Sequence, residues 1–568
     1  MTAAQSRPRL LLCLLALFLL ALLPRLYSGQ TMGWGWDHPG SFTLVNYDEA
    51  GSCRAALRGF QYTPFIGVQT IAIASALGSP PPAGIAGDAA AVKRYCQAPA
   101  HLMLARAYSA LTGALTVVAT VLIALWLMPG QPAVGWTAGA LLALSGWHIS
   151  ESHSATVDAP STFFIYLFLA VLVYASARHS PASLRLSPLL LVGAVWAKYW
   201  VFAIAAYLAW LPQRVSAYVF SGMSLRRAVV VAVGSAGLFG LLSIQSVREH
   251  ASLPLVLGLW YLLIPWRRVH QGMRLVWALV PPLAWAVCQI DVIQAYTLGS
   301  ESGRFGTSYA AIDWHKLPRN LLNLPLVLLV GLGLPAWLFL PAGLGAVARG
   351  PGNARAWCCL LPLAAFALFM AFVSPITYYR HYLPLLPAAC IVAACGLYAS
   401  RWGRRRWCVA LVLAWPVLLA TDLVGDYHHD PRIALRAFYA EHPQAAVFIS
   451  YYVNPPPGNN ALFRPEYAGG DAAILRRAEF LILSENWYDT AFANELNGPL
   501  VDDLTRLVKT RPAYAAFYRE ALAGRHPHLR PERTLAVSDV MPELLLHRYL
   551  YGSFPLFVGD IQILRVVE

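Results

Sequence analysis

The feature that most restricts this chain is where its charges do not go. Between Leu10 and Leu423 apolar runs follow one another, and Asp and Glu fall between them or at their ends. An apolar run of about 20 residues matches the hydrocarbon core of a bilayer when it is helical. Backbone groups in lipid have no water to bond, so such runs must close their own hydrogen bonds as helices. Only 12% of the 568 residues are charged and 58% are hydrophobic, against about 25% charged in a soluble domain. The expectation is a polytopic, mostly α membrane protein.

The runs predict spans at about 10–27, 101–128, 133–149 and 160–177, two short helices meeting at Lys198 within 186–211, then 228–244, 253–266, 275–296, 321–347, 357–373, 382–399 and 407–423. That makes about 13 transmembrane helices. The first run follows Arg7 and Arg9 like a signal peptide, but no small-x-small cleavage site follows, so it reads as a retained helix. Phe65 to Leu77 is too short to span and reads as an interfacial helix.

The loop charges orient the predicted spans. With the N-terminus cytoplasmic, the cytoplasmic loops hold Arg178/Arg185, Arg214/Arg226/Arg227, Arg267/Arg268/Arg274, Arg349/Arg355 and Arg401/Arg404/Arg405/Arg406, and no acid. The acids Asp37, Asp48, Glu49, Asp88, Glu151, Asp158, Glu249, Asp291, Glu301, Asp313 and Asp422 fall at the outer side. This is the positive-inside pattern. It expects an inner (plasma) membrane protein with a cytoplasmic N-terminus. Of 42 basic and 28 acidic residues, 14 and 17 lie in 423–568, leaving 28 and 11 before it. A basic membrane half points to anionic lipid headgroups, not to nucleic acid.

From about Asp426 the composition becomes that of a soluble domain. Residues 446–450, 480–483 and part of 556–567 read as short strands, 502–522 as helix, and 455–460 as a loop. The expected organisation is a membrane domain over 1–424, with a first outer loop at 28–100, and a small periplasmic α/β domain over 425–568. We find no internal repeat, Gly-rich phosphate loop or nucleophile elbow. Seven of the nine cysteines lie in apolar runs, while Cys53 and Cys96 share the first outer loop, where a disulfide can form. No CxxC pair or His/Cys cluster suggests zinc.

Ionisable groups at or in a membrane are costly unless paired, hydrated or functional. Asp48-Glu49 stands about twenty residues after the first span, among Trp34, Trp36, Phe42, Tyr47, Phe60 and Tyr62. Alone, an acidic pair in a loop is a solvated surface feature. Here Asp158, in the next outer loop, can converge on the same cavity. Asp158-Ala159-Pro160 is also a good helix start, so Asp158 serves as cap whatever else it does. Lys198 reads either as a snorkelling lysine or as an anion ligand. Arg380, in Tyr378-Tyr379-Arg380-His381-Tyr382, reads either as a partner of a loop acid or as a bidentate phosphate ligand. Arg304, near Glu301, is a weaker phosphate candidate. His153, His315 and His381 are isolated and read as structural or substrate-proximal.

Together these pieces resemble the GT-C membrane glycosyltransferases, in particular the protein O-mannosyltransferase and aminoarabinose-transferase superfamily. The resemblance rests on Tyr47-Asp48-Glu49-Ala50, Ser154-Ala155-Thr156-Val157-Asp158-Ala159-Pro160, Trp196-Ala197-Lys198-Tyr199, Tyr379-Arg380-His381-Tyr382-Leu383-Pro384-Leu385-Leu386-Pro387 and, more weakly, Asp430-Pro431-Arg432. The first motif departs from many relatives in continuing as Gly51-Ser52-Cys53. The resemblance implies a polyprenyl-phosphate-linked sugar donor, a lipid, glycan or protein acceptor, and transfer with inversion. It implies Asp48 as base, Glu49 orienting Asp48 or the acceptor, and Asp158 positioning the acceptor or helping Asp48 hold a divalent ion. Lys198, Arg380, Arg304 and Tyr382 would face the donor phosphate. Relatives differ in using a metal, and no cofactor is otherwise implied. The competing readings are a lipid or solute transporter or flippase, and a non-catalytic scaffold. A transporter would more often show a repeat and midplane charges, whereas these acids crowd one face.

Overall fold

The computed structural model describes residues 7–31, 47–59, 64–178, 190, 193–194, 197–198, 317–349, 356, 360, 363–364, 366–368, 371, 379–428, 430–450, 453, 455, 458–464, 472–488, 514–536 and 560–567. The predicted spans at 228–244, 253–266 and 275–296, and Arg304, lie outside them.

The N-terminal half is a bundle of helices around one long apolar core. Its elements are α1 (Arg7–Thr31), α2 (Gly51–Arg58), α3 (Phe65–Ala76), α4 (Ala89–Gln97), α5 (Pro99–Leu127), α6 (Pro132–Leu144), α7 (Gly146–His153) and α8 (Asp158–Arg178). Helix α5 is central and packs on α1, α6, α7 and α8. Among the described residues four helices are long and apolar enough to cross a membrane: Pro8–Thr31, Pro99–Leu127, Asp158–Ala175 and Arg380–Ala399. Leu12, Leu15, Leu19 and Leu23 of α1 are exposed at helical spacing, the stripe a lipid-facing helix presents. The opposite side of α1 buries Ala21, Arg25 and Ser28. As expected, α3 is a short apolar helix.

Two predicted spans are interrupted. The run at 133–149 breaks at Ser145, whose hydroxyl donates to the Gly331 carbonyl at 2.7 Å and so leaves its own helix for a neighbour. The carbonyls this break exposes at the end of α6, Leu142 and Ala143, accept from the buried Arg25 guanidinium at 3.1 Å each. A helix end needs such partners when it is buried. The run at 321–347 divides into α9 (Leu317–Leu332), α10 (Leu334–Trp337) and α11 (Leu340–Arg349). Gly333 sits there at φ +75, and the Trp415 ring occupies the space a Cβ would need. Only glycine satisfies both demands at no steric cost.

A 3-10 turn, Tyr379–Leu385, leads into α12 (Leu386–Ala399), and α13 (Arg406–His428) follows a second 3-10 turn at Arg401–Arg404. Helices α11 and α12 pack in backbone contact. A Cβ at Gly343 would collide with the Val392 carbonyl, and one at Gly396 with the Phe339 carbonyl. Small residues at a crossing are how membrane helices reach close van der Waals contact.

The last part of the chain forms a five-stranded mixed sheet: β1 (Val447–Ile449), β2 (Asn460–Leu462), β3 (Phe480–Ser484), β4 (Leu529–Leu535) and β5 (Ile561–Val566), in the order β2-β1-β3-β5-β4. β1 runs parallel to β2 and β3, and β5 antiparallel to β3 and β4. Central β3 is buried throughout. Its Phe480 and Ile482 face a core with Leu435 and Phe438 of α14 (Arg432–Glu441), while Leu481 and Leu483 face a second core with Phe517 and Tyr518. Strands β2 and β4 were not expected. Both are edges, and β4 carries Pro531 and an exposed charged middle. Edge strands use proline and charge against aggregation, which erases the apolar signal.

The α11–α12 contact makes a prediction. Gly396→Val lowers stability by about 1–3 kcal/mol through overpacking, read as a lower thermal midpoint in detergent. Gly87→Ala, where a Cβ meets nothing within 4 Å, leaves the midpoint unchanged.

Candidate active site

The segment between α1 and α2 enters the site through a 3-10 turn, Tyr47–Ala50, that runs directly into α2. A rigid frame holds this turn. The Cys53–Cys96 disulfide ties α2 to α4. The Gly67 amide donates to the Ser52 hydroxyl at 2.7 Å, and a Cβ at Gly67 would strike the Ser52 carbonyl, so α3 lies directly on α2.

Within the turn the two acids point to different environments. Glu49 points into the protein. Both oxygens of its carboxylate accept from Arg106 of α5 at 2.8 Å, through Nε and Nη2, and Oε1 also accepts from the Ala155 amide at 3.0 Å. Both side chains of this pair are fully buried. Charge-assisted bidentate bonds are the geometry in which a buried pair can offset its desolvation. The pair binds three segments: the first loop, α5, and the turn before α8.

Asp48 is the partly accessible member, 23% exposed at the side chain, and accepts from Arg380 Nη2 at 2.7 Å. Arg380 comes from the 3-10 turn before α12, 332 residues further along the chain. Asp158 opens α8 and accepts from Lys198 Nζ at 2.7 Å. Its position in the first helical turn agrees with the expected helix start. Lys198, Arg380 and His381 all act electrostatically on Asp158. Two carboxylates and two cations from four distant segments thus meet at one end of the bundle.

Other expected site residues are placed differently. Glu49, expected to orient Asp48 or the acceptor, is turned inward, and what it orients is the backbone turn that carries Asp48. Tyr382 is 1% exposed and lies in the main apolar core with Leu383 and Leu386. Nδ1 of His153 meets the Ser28 hydroxyl at 2.8 Å, joining α7 to α1. Arg106 was not anticipated. The available signal was an arginine inside an otherwise apolar 29-residue helix, since an intramembrane charge implies a partner.

For a divalent ion the described side chains are a poor fit. Among the described residues no group of three His, Cys, Asp or Glu gathers as a metal site. Asp48 and Asp158 already face Arg380 and Lys198.

The family model described as dolichyl-phosphate-mannose-protein mannosyltransferase matches residues 41–213, the stretch that carries Asp48, Glu49, Arg106, Asp158 and Lys198. This match agrees, over that stretch of the chain, with the motif resemblance to membrane glycosyltransferases read from the sequence. No curated protein sequence matches the chain. Among solved structures, the chain is similar to the apo Archaeoglobus fulgidus oligosaccharyltransferase, at 12% identity and a TM-score of 0.48, covering 98% of this chain and 88% of that one. It is also similar to ArnT from Cupriavidus metallidurans bound to undecaprenyl phosphate, at 16% identity and a TM-score of 0.40, covering 77% and 73%.

The inward pair makes the second prediction. Arg106→Gln leaves the Glu49 carboxylate buried without its cation and costs about 3–5 kcal/mol, measured as loss of thermal and denaturant stability in detergent. Glu49→Leu combined with Arg106→Met recovers most of that loss, because no buried charge remains.

Proposed function

We propose that the protein transfers a sugar from a polyprenyl-phosphate donor to an acceptor hydroxyl or phosphate at the outer face of the membrane, with inversion at the anomeric carbon. The observation that carries this reading is the convergence of Asp48 with Arg380 beside Asp158 with Lys198, in a chain whose residues 41–213 match a protein mannosyltransferase family model. The domains we assign are 1–424 for catalysis and 425–568 for an outer soluble domain.

Each role follows from charge and access. An acceptor hydroxyl is a weak nucleophile until a base takes its proton. Asp48 is the carboxylate with an accessible edge. As the acceptor oxygen bonds to the anomeric carbon, the bond from that carbon to the phosphate oxygen breaks. Its electron pair stays on the phosphate, and the acceptor proton moves to Asp48. A phosphate acceptor, already ionised, would attack without that transfer. The leaving phosphate gains negative charge, which Arg380 and Lys198 are placed to neutralise. Arg380 supplies a planar fork for two phosphate oxygens and Lys198 a point charge. Asp158 holds Lys198 in place. The polyprenyl tail would lie among the apolar helices, so no nucleotide-binding fold is needed.

The test uses purified full-length protein in nanodiscs with a polyprenyl-phosphate sugar. Asp48→Asn lowers turnover about 10²–10⁴-fold, the range of a general base, in a protein that still shows a cooperative unfolding transition. Full activity of a folded Asp48→Asn protein would remove the base assignment. A second measurement addresses the ion: turnover persists after exhaustive chelation. Loss of activity that is restored by a divalent cation would reverse our reading of the Asp48 and Asp158 carboxylates.

A further inference from the structure

At the far end of α12, the helix that follows the turn carrying Arg380, lies a second cluster of charged side chains. The span Arg380–Ala399 covers 20 residues, about 30 Å when helical. It ends in the turn Arg401–Arg404, where Arg401 is exposed and Trp402 packs against the bundle core. Ser400 caps the turn, its hydroxyl accepting from the Trp402 amide at 3.2 Å and donating to the Leu397 carbonyl at 2.7 Å. Gly403 presses against the end of α12, where a Cβ would collide with the Leu397 carbonyl and approach Tyr398 Cα to 2.7 Å. The turn is therefore folded back tightly on its own helix.

Two arginines stack on one ring of this turn. The guanidinium of Arg401 lies 5.1 Å and that of Arg405 5.4 Å from the centre of the Trp402 ring. Trp407 meets Trp402 edge-on at 5.8 Å. Arg401, Arg405 and Arg406 are exposed. Among the described residues no carboxylate pairs with any of the three. Stacking on a tryptophan face fixes a guanidinium while leaving its N–H edge free to bind.

What lies next to the patch decides its partner. Trp407, Leu411 and Leu418 of α13 are 56%, 51% and 43% exposed. Their spacing puts them on one face of the helix. An uncovered apolar face beginning with Trp at its charged end is the arrangement of a helix entering lipid, with the indole at headgroup depth. The arginines then stand at the depth of the lipid phosphates, on the side of the membrane opposite Asp48. A soluble acidic protein would leave that apolar face uncovered. A bilayer covers it and supplies the anions.

We propose that Arg401 and Arg405, stacked on Trp402, and the neighbouring Arg406 form a binding site for anionic phospholipid headgroups at the membrane surface opposite the acidic site. This is more specific than the general attraction of basic loops to an anionic leaflet, because the turn is preorganised and Arg401 and Arg405 share one aromatic platform. It does not depend on the proposed reaction.

The experiment titrates phosphatidylglycerol or phosphatidylcholine into the purified full-length protein in neutral detergent and reads retained lipid by native mass spectrometry. The wild type retains phosphatidylglycerol preferentially. Changing Arg401, Arg405 and Arg406 to Gln weakens that retention by about fivefold per charge removed, at an unchanged unfolding midpoint. Trp402→Leu, which keeps every charge, also weakens it. Arg349→Gln, an exposed arginine at the end of α11, leaves it unchanged. Equal retention by the triple variant would overturn the proposal. So would an equal loss in Arg349→Gln, which would mean diffuse charge attraction, or displacement of the lipid by millimolar inorganic phosphate, which would mean a site for the free ion.

Discussion

The structure of the site depends on a carboxylate that does not face it. Glu49 and Arg106 pair in full burial, and the Ala155 amide adds a third bond to the same carboxylate. A charge in that position is costly unless every partner is present. The first loop, the middle helix and the turn before α8 must therefore assemble together or not at all. Once they do, Asp48 has little choice of position. It sits one residue from a buried anchor, on a tight turn stapled through Cys53 to Cys96. The adjacent acids divide the work by environment: the buried one sets geometry, and the partly accessible one meets Arg380.

The membrane bundle solves its polar problems locally. Arg25 answers the carbonyls freed where α6 stops, and Ser145 answers Gly331. These buried contacts let helices break where a site or a crossing needs it, without orphaned backbone groups in lipid. Glycines take the complementary role at Gly343 and Gly396, where two backbones touch. The helix leading from Arg380 then separates two chemistries, an acid-and-cation cluster at one end and an arginine–tryptophan turn at the other.

Much of the candidate site was legible, and the reason is charge. In an apolar chain each ionisable residue stands out, so Asp48, Asp158, Lys198 and Arg380 could be singled out one at a time. Their pairing was not legible. Nothing local connects Arg380 to an acid 332 residues away, and the inward turn of Glu49 could not be told from the outward turn of its neighbour. Arg106 passed unnoticed because its helix reads correctly as a span without it. In the C-terminal sheet, β1, β3 and β5 were visible as apolar segments. Edge strands β2 and β4 were not: β2 is only three residues long, Asn460–Leu462, and the middle of β4 is polar and exposed.

What the sequence by itself determined is the class of structure: a helical membrane protein with sparse ionisable residues, carrying motifs that resemble those of membrane glycosyltransferases. Hydrophobic length and charge distribution are properties of the chain, and the bilayer acts on them directly. Tertiary structure alone decided which carboxylate is structural and which is accessible, where long apolar runs break, and which cation answers which acid. Those outcomes depend on burial and on contacts between segments far apart in the chain, and a residue's own neighbours in sequence carry no record of either.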